Sequence, residues 1–155
     1  MAVELFQPLN PDYQAQVRDS FDRQPAMKLI GAQLVEVTPG RCAIHLPFRA
    51  DLTQQHGVFH GGLVGTIADS AGGYAAYSLM PAGSEVVTVE FKLNLVAPAK
   101  GEMLEAVGTV LRPGRTLTVA RIDVYAMQGA ARVLCGAAQQ TLMQVRSDHG
   151  TGKPR

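Results

Sequence analysis

His60-Gly61-Gly62-Leu63-Val64-Gly65-Thr66-Ile67-Ala68-Asp69-Ser70-Ala71-Gly72-Gly73-Tyr74-Ala75-Ala76-Tyr77-Ser78-Leu79-Met80 is the stretch on which the fold turns. It has the length and the small, apolar composition of a membrane span. However, Thr66, Asp69, Ser70, Tyr74, Tyr77 and Ser78 break it up well short of the roughly 18 uninterrupted apolar residues that a span requires. It reads instead as a helix enclosed on most sides by protein. Asp69 is the only formal charge between Asp51 and Glu85. A carboxylate is costly to bury unpaired, so its place in this run points to chemistry. The alternative is a carboxylate hydrogen-bonded for structural reasons alone. Gly61, Gly65, Gly72 and Gly73 would each cost up to about 1 kcal/mol in an exposed helix, and their density predicts close approach of other backbone.

Outward from this helix, the chain reads mostly as strands. Asn10-Pro11-Asp12 has the form of an N-cap followed by proline, opening a short amphipathic helix toward Arg23. Ala32 to Thr38 and Arg41 to Pro47 form a hairpin pattern around Pro39-Gly40, a pair suited to a type II turn. Phe48 to Phe59 reads as a loop. Pro81-Ala82-Gly83 stops the central helix, and a long strand pattern begins at Glu85, alternating in its second half. Three further strands are expected near Glu102 to Arg112, Leu117 to Met127 and Ala131 to Val145, separated by Pro113-Gly114 and Gln128-Gly129. Short turns imply antiparallel neighbours. The fold class is α+β, with one long antiparallel sheet curled around one apolar helix.

The chain has 155 residues, 46% hydrophobic and 17% charged, with a net charge of +1. That is enough for one sizeable core, and the near-neutral balance gives no footprint for nucleic acid. No basic stretch followed by an apolar run opens the chain, so a cytoplasmic protein is expected. Cys42 and Cys135 lack a CxxC partner and sit in strand-like segments, which predicts buried reduced thiols. His56 and His60 have i, i+4 spacing but no third ligand nearby, so no metal site is expected. There is no GxSxG elbow, P-loop or GxGxxG.

Gln54-Gln55-His56-Gly57-Val58-Phe59-His60-Gly61-Gly62, then Ala68-Asp69-Ser70, Thr88-Val89-Glu90-Phe91-Lys92-Leu93-Asn94 and Pro98-Ala99-Lys100-Gly101 carry a resemblance to the PaaI-type acyl-CoA thioesterases of the hotdog fold. The similarity runs from about Met27 to Val145. It implies a hotdog domain over 27–145, preceded by an N-terminal segment over 1–26; the polar, Gly- and Pro-containing stretch 146–155 reads from its composition as a flexible tail. The resemblance further implies that Asp69 acts as general base on water or as nucleophile, and that the Gly61 amide at the helix start is the oxyanion donor. Thr88 falls where the family carries a small hydroxyl that orients the attacking water. Gln54 stands where the family commonly has Asn, one methylene shorter. His60 would help to position the carbonyl or the loop. Phe59, Gly62, Tyr74 and Tyr77 are expected to line an apolar acyl pocket.

A distance argument independent of the family points to a shared site. At about 1.5 Å per residue, Gly61 and Asp69 lie roughly 12 Å apart along one helix, too far to touch one thioester. Two antiparallel helices from two subunits solve this, which predicts an obligate homodimer; the family often pairs dimers into tetramers. Coenzyme A would enter as part of the substrate rather than as a cofactor, its phosphates met by Arg112, Arg115 and Lys92, with Arg121 a weaker candidate. The expected reaction is hydrolysis of an aryl- or medium-chain acyl-CoA. The alternatives are a hotdog hydratase or dehydratase acting on acyl thioesters and a non-catalytic acyl-CoA sensor.

Overall fold

Pro39-Gly40 reverses the chain as its composition demands, with Gly40 at φ +75°, a conformation that strains other residues. It joins β1 (Gln33–Thr38) to β2 (Arg41–Pro47). The computed structural model describes residues 6–147. The first five residues of the N-terminal segment and the expected tail from position 148 onward lie outside them. Ahead of the hairpin, α1 (Tyr13–Asp22) is followed at once by α2 (Pro25–Ile30), a single turn and a half that begins on a proline and ends at Gly31. The expected N-cap at Asn10 forms instead a turn one step earlier, in which its side-chain oxygen accepts from the Asp12 N–H at 3.0 Å.

After a loop holding one 3₁₀ turn at Ala50–Leu52, the central helix α3 runs Gly61–Tyr77. Four strands follow, β3 (Ser84–Leu95), β4 (Met103–Arg112), β5 (Leu117–Gln128) and β6 (Ala131–Arg146). All strand pairs are antiparallel, and the sheet order is β1-β2-β4-β5-β6-β3. The sheet curls around α3, which makes contact with all six strands. Val64, Ile67, Ala68, Ala71, Ala75 and Ala76 are buried against Ile44, Leu104, Ile122, Val124 and Leu142 of the sheet. No described helix is long and apolar enough to cross a membrane.

Close approach of backbone to α3 occurs, but the glycine responsible is on the sheet. A Cβ on Gly108 of β4 would collide with the Ala71 carbonyl and the Gly72 nitrogen, so β4 lies against the helix only because this position is glycine. Gly72 makes room for side chains, those of Gln140 and Ile122, rather than for backbone. Gly73 meets nothing nearer than a Leu142 methyl at 3.8 Å. These contacts correct the expectation that the helix glycines admit a neighbouring chain.

The sheet's last strand carries one irregularity that matters for the site. Along β3, Thr88 is opposite Leu142 and Glu90 opposite Thr141, so Val89 is an extra residue in the ladder. Val86 and Thr88 face α3 before this bulge, and Phe91, Leu93 and Leu95 face it afterwards. Glu90, Lys92 and Asn94 consequently turn to the outer face.

Cys42 and Cys135 are both fully buried and unpaired. Burial pushes the Cys42 thiol up to about 12, and also raises that of Cys135. Titration of the native protein with a disulfide reagent at mildly alkaline pH should therefore detect no fast-reacting thiol, and both should react after denaturation. Rapid native labelling of either would contradict the burial.

Candidate active site

Asp69 sits two turns into α3 on the stripe of the helix that the sheet leaves open. Gly62 is exposed there, and Thr66, Asp69 and Ser70 are half-buried. Its carboxylate is held from the sheet side. Thr88 on β3 donates its hydroxyl to Asp69 Oδ1 at 2.7 Å, and Gln140 Nε2 on β6 donates to the same oxygen at 2.6 Å. Gln140 Nε2 also reaches the Asp69 carbonyl oxygen at 3.2 Å and Thr88 Oγ1 at 3.0 Å. Oδ1 is thus occupied twice, while Oδ2 makes no hydrogen bond to the described residues. Two donors on one oxygen fix the orientation of the carboxylate relative to the helix.

The family resemblance singled out Thr88 as a hydroxyl for the attacking water, without joining it to Asp69, and Gln140 was missed. The signal was available: Gly136, Ala138, Gln140 and Leu142 alternate on the buried face of β6, so one amide occupies a core position among small and apolar residues. Gln140 is 0% exposed, and its Oε1 has no partner among the described residues. Such an orphaned acceptor costs about 1–3 kcal/mol. The side chain lies against the Cα of Gly72, where any Cβ would strike Oε1.

At the helix start, His60 is the N-cap. Its Nδ1 accepts from the Gly62 N–H at 2.9 Å, which leaves the ring proton on Nε2. Leu63 and Val64 donate to the His60 carbonyl at 2.9 and 3.3 Å. The Gly61 N–H makes no bond to the described residues, and it stands at the positive end of the helix dipole. His60 is therefore a capping side chain, and Gly62 spends its amide on that cap rather than on a ligand. Gln54 turns its amide oxygen back to the His56 N–H, and its backbone closes the same loop through Val58 and Gly57. Its amide oxygen is thus engaged within its own turn.

Beside Asp69 lies a cavity of about 200 Å³, bounded by Thr88, Val86 and Glu85 of β3, Gly73 and Tyr74 of α3, and Ser20 and Gln24 from the N-terminal helices. Tyr74 contributes its hydroxyl, which accepts from Gln24 Nε2 at 2.6 Å and lies 3.2 Å from Ser20 Oγ. Burial raises the Tyr74 phenol above its usual range, with those two contacts opposing it. The expected apolar lining is corrected on two points. Phe59 packs edge-on to Phe48 with ring centres 5.5 Å apart and is core, and Tyr77 is core with its hydroxyl on the Ser84 carbonyl. The cavity wall next to Asp69 is polar.

The candidate cations are not gathered on one surface. Arg115 borders a separate cavity of about 450 Å³ at the C-terminal end of α3, beside Leu79 and Met80. Lys92 lies on the outer face of the sheet in a hollow it shares with Arg121 and Glu90. Arg112 is exposed at the end of β4. No group of three or more His, Cys, Asp or Glu among the described residues is arranged to hold a metal ion.

A curled antiparallel sheet around one helix, with a half-open carboxylate in its middle and a free amide at its start, defines a hotdog-fold enzyme. Residues 56–132 match the family described as the thioesterase superfamily. A thioesterase family protein from Silicibacter pomeroyi superposes with a TM-score of 0.85 at 45% identity, over 87% of this chain and 99% of that one. Acyl-coenzyme A thioesterase 13 of Homo sapiens is 29% identical over 59% of this chain and 65% of its own length. The PaaI protein from the phenylacetic acid degradation operon of E. coli shares the fold, with a TM-score of 0.78 at 18% identity over 88% of this chain and 96% of that one. The chain belongs to the thioesterase superfamily and is a thioester hydrolase.

Two neighbouring glycines test the packing behind the carboxylate. Gly72→Ala should destabilise by about 1–3 kcal/mol through overpacking against Gln140 and Ile122. At this chain length each kcal/mol lowers the thermal midpoint by roughly 2–4 °C. Gly73→Ala meets only an ordinary contact with a Leu142 methyl at 3.8 Å and should be neutral or stabilising by up to about 1 kcal/mol. Equal effects in thermal denaturation would show that Gly72 is not filled as described.

Proposed function

We propose that the chain hydrolyses acyl-CoA thioesters as a homodimer with two shared sites, taking aryl or medium-chain acyl groups. The observation that carries this is the asymmetry of Asp69: Oδ1 is tied down by Thr88 and Gln140, while Oδ2 makes no hydrogen bond to the described residues and the residue is only half-buried. A carboxylate held in this way is a positioned proton acceptor. Thr88 Oγ1 has given its proton to Asp69 and received one from Gln140, and it keeps a lone pair for a water beside Oδ2. In the proposed reaction the water oxygen bonds to the thioester carbon and Asp69 takes its proton. The Gly61 N–H of the partner subunit holds the resulting oxyanion. The C–S bond then breaks, and the thiol leaves with the proton from Asp69.

The dimer is supported by what the single chain leaves uncovered. β3 is an edge strand of twelve residues on which Val89, Phe91 and Leu95 are 53%, 41% and 57% exposed. A long apolar edge invites pairing with another strand. Pairing β3 with its copy about a twofold axis would also lay one α3 antiparallel to the other, covering the open stripe and bringing the helix start of one protomer toward the middle of the other. The relationship to a human acyl-coenzyme A thioesterase supports the substrate class. Arg115 and Arg112 remain the proposed phosphate contacts, and Arg115→Ala should raise KM more than it lowers kcat.

Thiol release measured across a panel of acyl-CoA esters tests the activity, and Asp69→Asn tests the site. The variant should remain folded and lose at least about a hundredfold in kcat; retained turnover would overturn the assignment. A single turnover in ¹⁸O-labelled water should place the label in the product acid, whereas unlabelled product would make Asp69 the nucleophile. Sedimentation under assay conditions should give a dimer or larger, and an active monomer would rule out the shared site.

A further inference from the structure

We propose that Gln140 is a positioning residue of this hydrolase, holding Asp69 so that only Oδ2 is presented to the substrate. The inference deepens the reading of Asp69 as the hydrolytic carboxylate and rests on it. Its basis is the geometry of one buried amide. Gln140 comes from β6, the strand next to β3, is fully enclosed, and directs Nε2 at three acceptors that all belong to Asp69 or Thr88. By gripping both the carboxylate and the carbonyl of the same residue, it fixes the side chain relative to its own helix backbone. Through Thr88 it also orients the hydroxyl, because an oxygen that accepts from Nε2 must turn its own proton toward Oδ1.

The other end of the amide argues that this arrangement is functional. A core position occupied for stability alone would be apolar, as its neighbours Ala138 and Leu142 are, or would satisfy both of its polar atoms. Gln140 leaves Oε1 without a partner among the described residues, and Gly72 stands where any side chain would collide with it. Rotating the amide would relieve nothing, since it would aim Oε1 at the carboxylate. The pair Gly72 and Gln140 thus accepts a packing defect in order to deliver an N–H to Asp69. The other groups bordering the carboxylate's cavity are Glu85 on β3, Tyr74 on α3, and the uncharged Ser20 and Gln24 from the N-terminal helices. None of these donates to the Asp69 carboxylate, so among the described residues Thr88 and Gln140 are the side chains that fix it.

The test compares Gln140→Met, which keeps the length and removes the donor, with Gln140→Glu, which keeps the shape. Gln140→Met should lower kcat by at least about tenfold and leave KM within about threefold, since the carboxylate loses the donor that fixes its orientation. Its thermal midpoint should not fall, because the orphaned oxygen leaves along with the donor. In Gln140→Glu, two adjacent carboxyls share one proton. Activity should persist while that proton is present to replace the amide N–H, and it should fall along a new alkaline limb once the proton is lost. A folded Gln140→Met with wild-type kcat would overturn the proposal, as would a Gln140→Glu without the alkaline limb. Asp69→Asn assayed in parallel separates the two readings: wild-type turnover there would end the site assignment itself, whereas an inactive Asp69→Asn beside a fully active Gln140→Met would remove only the role of Gln140.

Discussion

A helix that is apolar on most of its circumference has to be enclosed, and the rest of this molecule follows from enclosing α3. Six antiparallel strands do so by curling around it, with Gly108 letting β4 press against the helix backbone. The enclosure is incomplete along one stripe, and Asp69 stands on that stripe. Burial therefore decides both the stability of the domain and the location of its chemistry. The same apolar packing that fixes the helix also fixes the height of Asp69 against β3 and β6, where Thr88 and Gln140 meet it. A carboxylate on a loop would need its own scaffold to reach this precision.

Much of this was legible in the sequence because it rests on local rules. Pro39-Gly40 and the run of turn residues delimit the strands to within one or two positions, and the central helix is set by its small apolar composition and by Pro81 after it. Asp69 stood out because one charge among apolar residues is conspicuous without any knowledge of the fold. Thr88 was singled out only through the family resemblance, and its pairing with Asp69 was not legible, since nothing local joins residues nineteen positions apart.

The features that escaped the sequence are those decided by tertiary contact. α2 is too short to show a helical period. Gln140 reads as an ordinary polar residue in a strand until its alternation partners are known to face a helix. Gln54 and His60 were expected to act on a ligand, yet their side chains bond within two residues along the chain, a local competition that propensity does not reveal. Lys92 was grouped with Arg112 and Arg115 by charge alone, and the phase of β3 sends it to the opposite side of the sheet.

That phase has a consequence for how this strand tolerates change. Because Val89 is an added residue, the stretch bearing Thr88 and the stretch bearing Phe91, Leu93 and Leu95 are out of step by one position, and both still look toward the helix. Shortening the strand there by one residue would restore perfect alternation. Both halves would then still look toward α3, whereas pairing Val89 into a regular ladder without removing it would turn either the hydroxyl or the three apolar side chains away. The two halves are geared separately, so the hydroxyl end and the apolar end of one continuous strand answer to different demands, and the misfit between them is what allows both to be met.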